Sequence, residues 1–223
     1  MRNDLAVPEP TTRDTNDAVL VLTVPILEQM RAVEGWLSDG EGDLLIASCA
    51  RALSQCPAPH AVVEIGSYYG RSTVVLGSVV KLLGRPDSSR LYAIDPHLGH
   101  VAVPDKGIQI GEPTFEKFRR NIAEAGLDHF VEPIQKCSFE VEWCRPICFL
   151  FIDGLHDYAN VARDFDHFER WLMPGGYVAF HDYADYFPGV KMFVNEVLAA
   201  GQYERAASVL NLILLRKLKG AAG

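Results

Sequence analysis

From Ala61 onward the chain alternates short β-rich apolar runs with helical segments, and that alternation leaves few folds open. Apolar runs rich in Val and Ile suit strands buried on both faces of a parallel sheet, and parallel neighbours need a crossover, usually a helix, between them. Residues 61–65, 90–95, 130–134, 148–153 and 176–181 are read as such strands. Helices are expected over 72–83, 113–125 and 158–171, with another starting just after Pro188, a favourable first-turn residue, and running to Ala200. The tail YERAASVLNLILLRK holds two further apolar runs with only residues 209–212 between them for a turn, so they must pair antiparallel. The expected architecture is an α/β, doubly wound, mostly parallel sheet that ends in a C-terminal antiparallel hairpin.

With 223 residues, 48% of them hydrophobic, the chain suits one sizeable core rather than two. Residues 1–20 are polar and read as a loose arm, 21–60 as an N-terminal helical layer with apolar periodicity over 24–36 and 39–56, and 61–217 as the main domain. The apolar face of 24–36 makes a homodimer an expected assembly. Trp36, Trp143 and Trp171 are assigned to helix packing, His97 and His100 to a solvated loop. Arg163, Asp164, Asp166, Glu169 and Arg170 are assigned to a solvated helix face. The stretch 96–113 is the least regular and reads as a long loop of the kind that serves as a lid.

A formal charge of −8 gives no general attraction for nucleic acid or an anionic membrane, and a small, neutral or cationic substrate fits better. No apolar run reaches the ~18 residues of a membrane span, and the acidic start MRNDLAVPEP lacks the order of a signal peptide, so a cytoplasmic protein is expected. Five cysteines without a CxxC pair are expected to be reduced.

Ligands of open parallel sheets bind beyond the carboxyl ends of the strands. The first strand ends in VVEIGSYYGRST, which places Glu64, Gly66, Ser67, Tyr68 and Gly70 in a turn leading into a helix near Ser72. Glycines there allow close approach of backbone, and the helix N-terminus offers N–H groups to an anion. The spacing G-x-x-x-G departs from the dinucleotide fingerprint, which makes a dehydrogenase the last choice. Asp95, ending the second strand, is placed to accept hydrogen bonds from ribose hydroxyls of an adenosine. The fourth and fifth strands end in FLFIDGLHDY and GGYVAFHDY, so Asp153, His156, His181 and Asp182 share one mouth. Asp153, Asp182 and His181 form a donor set for a divalent ion, and His156 a base near neutral pH.

E-I-G-x-x-x-G-x-S followed by an acid at the end of strand two resembles the class I S-adenosylmethionine-dependent methyltransferases, whose sheet has seven strands. Glu64, Gly66, Tyr68, Gly70 and Ser72 are similar to the catechol O-methyltransferase pattern. That resemblance implies that Ser72 and nearby backbone hold the methionine carboxylate, Asp95 the ribose, and Cys137 and Ser138 in QKCSFE the adenine, with Asp153 bordering cofactor and metal. The paired IDGxHxY and PGGxxxxHD segments resemble the macrocin and cephalosporin-hydroxylase branch over residues 35–215. His156 then stands at a base position that is lysine in the catechol enzymes, and Leu155 where some sugar-modifying relatives carry an acid. His181 stands where an oxygen ligand is usual, which leaves both magnesium and manganese open. The resemblance implies methyl transfer to a hydroxyl of a small molecule, a sugar, phenol or natural-product intermediate. The rivals are a metal-dependent hydroxylase on the same scaffold and a catalytically silent cofactor-binding or scaffolding protein.

Overall fold

The computed structural model describes residues 21–84 and 89–219, so the arm assigned to 1–20 lies outside the described residues. Among these, seven strands form one sheet: β1 (His60–Ile65), β2 (Ser89–Ile94), β5 (Val131–Ile134), β6 (Ile147–Ile152), β7 (Leu172–Phe180), β8 (Tyr203–Val209) and β9 (Leu212–Lys217). Their order is β5-β2-β1-β6-β7-β9-β8, parallel as far as β7. β9 then pairs antiparallel with both β7 and β8, so the second strand of the hairpin joins the sheet and the first becomes its edge. The turn is Leu210–Asn211, with Leu210 at φ +50.

β6, with the sequence ICFLFI, is buried at every position because helices cover both faces. On one face α1 (Thr23–Arg31), α2 (Asp39–Gln55), α3 (Arg71–Leu83) and α4 (Phe115–Glu124) bury Met30, Leu45, Leu76 and Phe118 against Phe149 and Phe151. On the other, α5 (Tyr158–Glu169) and α6 (Pro188–Ala199) bury Phe165, Phe168 and Val194 against Leu150 and Phe180. Each such large side chain contributes roughly 1.5–3 kcal/mol through apolar burial. β1 lies between β2 and β6, the point where strand order reverses, so the crevice opens at the carboxyl ends of these three strands.

Two expectations are corrected here. The first helix ends at Arg31, not Trp36, because the Arg71 side chain binds the carbonyls of Val33 (2.7 Å) and Leu37 (2.8 Å) and holds that segment outside helical geometry. Its apolar residues Ile26, Leu27 and Met30 are spent on the core, leaving Val24 and Trp36 outward. The stretch read as an irregular loop contains an antiparallel ribbon, β3 (His100–Val103) with β4 (Gly107–Ile110). Its turn uses Asp105 at φ +60 and Gly107 at φ +67, conformations suited to Asp and Gly.

Candidate functional site

One cavity of ≈ 680 Å³ occupies the crevice, lined on one side by the turn after β1 and on the other by the ends of β6 and β7. Gly66 stands at φ +88, and a Cβ there would lie 2.0 Å from the Asp153 carbonyl oxygen, so β1 and β6 leave the sheet in backbone contact. The amides of Ser67 and Tyr68 donate to Asp95 Oδ2 at 2.9 and 2.8 Å, and the His97 amide donates to Oδ1 at 2.6 Å. This carboxylate holds Tyr68 at φ +48, a strained conformation for a tyrosine. Three of its roughly four acceptor positions are taken, leaving one for a ligand. Gly70, the N-cap of α3, offers no side-chain cap, so the first N–H groups of the helix remain available near Ser72.

Ser67, Tyr68, Ser72, Asp95, Cys137, Ser138 and Asp153 all line the cavity with Gly66. Glu64 and Gly70 do not. Glu64 belongs to β1 rather than to the turn and is fully buried beneath it, with Oε2 accepting from Thr73 Oγ1 at 2.5 Å and Oε1 unpartnered. Gly70 supplies the φ +92 bend into α3 against Phe118 and Ile122.

At the other side, His181 Nδ1 lies 3.1 Å from Asp153 Oδ1 and 3.2 Å from Asp182 Oδ2. His156 Nε2 lies 3.1 Å from Asp182 Oδ2 and 3.5 Å from Asp153 Oδ1, with its ring against Phe187. One donor atom from each of Asp153, His181 and Asp182 falls within 4.8 Å of the others, spacing that a single cation can bridge. Neither ring nitrogen of His181 makes an aligned hydrogen bond despite these approaches. Burial disfavours charge on both Asp153 and His181, but their mutual attraction prevails, holding Asp153 down at about 2 and raising His181 well above the usual imidazole value.

The family described as Methyltransferase domain matches residues 63–183, more than half of the chain and the stretch that carries every one of these strand ends. The chain belongs to the methyltransferase domain family. A curated relative, an uncharacterized protein of Acanthamoeba polyphaga mimivirus, is 30% identical over 148 residues; the match covers 63% of this chain and 62% of that protein's length. The O-methyltransferase NovP shares the fold with a TM-score of 0.69 at 17% identity, over 82% of this chain and 81% of that one. An O-methyltransferase from Bacillus cereus, solved in complex with SAH, gives 0.61 at 17% identity over 97% and 94%.

This methyltransferase domain also carries site residues that sequence reasoning missed. Glu41, on α2 and outside the family match, reaches to 3.6 Å from His181 Nε2, while accepting from Ser38 and from the Asn211 amide. Burial raises its carboxyl, but His181 and Ser38 outweigh that and hold it at about 2. Ser38 and Glu41 have readable capping-box spacing, yet their tie to His181 exists only after α2 docks. Trp36 is 68% exposed at the mouth, 5.3 Å from the Tyr68 ring, rather than packed between helices. His97 is buried, not solvated, with Nδ1 2.7 Å from Thr114 Oγ1 and its ring between Phe115 and Phe118. All five cysteines are free.

Burial pushes the Glu64 carboxyl up to about 7, partly offset by Ser72 and Thr73. A folded-state value above the unfolded one means that the protonated group favours folding at low pH and that this contribution fades as pH rises towards and through 7. The loss amounts to ~3 kcal/mol at most. Glu64→Gln is therefore expected to flatten the fall in thermal midpoint between pH 5 and 8; an unchanged profile would show that Glu64 does not titrate there.

Proposed function

We propose that this chain transfers the methyl group of S-adenosylmethionine to an oxygen of a small molecule, with a divalent metal assisting. The observation that carries this reading is that the Asp95 turn and the Asp153–His181–Asp182 cluster open into the same cavity. Both solved neighbours above are O-methyltransferases, which supports the oxygen acceptor.

The residues fit both groups. Gly66 lets the turn after β1 close against the end of β6 at the cavity wall, the α3 N-terminus and Ser72 suit a carboxylate, and the remaining acceptor position on Asp95 suits one ribose hydroxyl. Two carboxylates around an imidazole nitrogen that lacks an aligned hydrogen bond suit a divalent cation, and the mixed oxygen and nitrogen set suits manganese as well as magnesium. When bound, the sulfonium supplies an already electrophilic methyl group. The metal, when bound, lowers the pKa of an acceptor hydroxyl. The protein's work is then alignment and proton removal. A proton taken by His156 at Nε2 is held against Asp182 and Asp153, which stabilise the imidazolium. Phe187 packs against the His156 ring, and Trp36, Tyr68 and Tyr186 line the same cavity.

Calorimetric titration tests the cofactor. S-adenosylmethionine is expected to bind and NAD not to, and Asp95→Ala is expected to weaken binding about 10- to 100-fold, because the turn loses its anchor as well as a ribose contact. No binding of S-adenosylmethionine with or without Mg²⁺ or Mn²⁺ would overturn the reading.

A further inference from the structure

Glu41 is more deeply placed than a helix cap requires. It stands in the first turn of α2, where a capping side chain can stay in solvent, yet it is 2% exposed. Burying a carboxylate is costly unless partners replace the water it loses. Ser38 donates to its Oε2 through the amide at 2.9 Å and the hydroxyl at 2.7 Å, and the Asn211 amide donates to Oε1 at 3.1 Å. Three of its roughly four acceptor positions are thus taken. His181 Nε2 stands 3.6 Å from Oε2, longer than a formed hydrogen bond.

The two nitrogens of the His181 ring face different neighbours. Nδ1 lies 3.1 Å from Asp153 and 3.2 Å from Asp182, while Nε2 faces Glu41. Both are buried and neither makes an aligned hydrogen bond. A neutral imidazole binds a cation through its bare nitrogen and carries its hydrogen on the other. A carboxylate beyond that second nitrogen fixes the tautomer and the ring orientation, and makes the first nitrogen a stronger ligand. Hydrogen bonds in reaction centres are often long until the ligand binds, and then tighten.

We propose that Glu41 is a positioning residue of the ion centre: it accepts the Nε2 hydrogen of His181 and so presents Nδ1 to a divalent cation shared with Asp153 and Asp182. This inference rests on the reading of that cluster as a cation site. Glu41 lies outside residues 63–183, and its carboxylate is held by the start of α2 on one side and by the hairpin turn on the other. Segments before and after the family domain therefore complete the centre, and the imidazole that they orient tilts it towards manganese over magnesium.

Manganese affinity of the full chain, read by paramagnetic resonance with magnesium as competitor, tests this role. In Glu41→Gln the manganese affinity is expected to fall about 10- to 100-fold. Magnesium, which depends more on the carboxylates, is expected to lose less, so the preference for manganese narrows. Ser38→Ala breaks the capping box but keeps the Glu41 carboxylate; it is expected to lower the thermal midpoint and leave manganese affinity within about threefold of wild type. A manganese affinity in Glu41→Gln within about twofold of wild type, an equal loss for both ions, or the same loss in Ser38→Ala would overturn the proposal. A second measurement holds even if Glu41→Gln does not fold. Nitrogen-15 spectra of the wild type with magnesium, in which His181 is assigned by the signals missing from His181→Asn, are expected to show the ring hydrogen on Nε2, and a hydrogen on Nδ1 would overturn the role. A wild type that binds S-adenosylmethionine but neither ion would instead remove the cation reading beneath the proposal, and the proposal with it.

Discussion

Asp153→Ala is expected to abolish turnover, by about a thousandfold or more, while S-adenosylmethionine still binds with an affinity within a few-fold of wild type. The side chain and backbone of this residue do separate things. Its carboxylate lies 3.1 Å from His181 Nδ1 and 3.5 Å from His156 Nε2, at the centre of the acidic cluster. Its carbonyl presses against Gly66 and shapes the turn after β1, a contact that alanine retains. Removing the carboxylate deletes one of the three donors of the proposed ion site and withdraws the charge that raises the His181 imidazole. Single-turnover methyl transfer and manganese binding by paramagnetic resonance should fall together. A variant that turns over at the wild-type rate would take Asp153 out of the reaction centre. The pH dependence has a definite sign: the folded-state value of about 2 lies below the ordinary 3.8, so the stability contributed by Asp153 is present above pH 4 and lost as pH falls towards 2. That portion of the acid unfolding should be missing in Asp153→Ala.

Gly66→Ala is expected to have the largest effect on folding, about 3 kcal/mol or more. At φ +88 an alanine pays for its backbone conformation alone by roughly 1–2 kcal/mol. Its Cβ would also stand 2.0 Å from the Asp153 carbonyl oxygen and 2.5 Å from the carbon, and both belong to the residue that directly follows a fully buried central strand. Gly66 cannot retreat without stretching its 2.9 Å hydrogen bond to the Ile94 carbonyl. Gly201→Ala is the control, with φ +75 but nothing within 4 Å of the added Cβ, and it should show only the conformational cost. Equal urea midpoints for the two variants would mean that β1 and β6 do not approach so closely.

The parts of this fold that were legible from sequence are those set by local pattern. The alternation after Ala61 fixes strands and crossovers, because a parallel strand buried on both faces must be apolar throughout and must be followed by a return path, and β6 with ICFLFI is the clearest case. The two-residue turn before Leu212 forces an antiparallel pair for the same reason of chain geometry. The strand ends Asp95, Asp153, His181 and Asp182 were likewise readable, since the carboxyl ends of parallel strands all face one crevice.

Only the tertiary structure decided what depends on side chains reaching across the chain. Arg71 stops α1 from 34 and 38 positions away by binding the carbonyls of Leu37 and Val33. Glu41 reads as a helix cap and becomes a neighbour of His181 only when α2 docks beside the hairpin turn. Asp164 reads as one of several charges on a solvated helix and turns inward because Gly154 leaves space and Ser138 supplies a hydroxyl. Hydrophobic periodicity and turn chemistry act over a few residues, so the sequence by itself determined the elements, their order and the edge at which chemistry collects. Which polar groups complete that edge is a matter of distance between segments far apart in the chain, and such distances exist only once the core has packed.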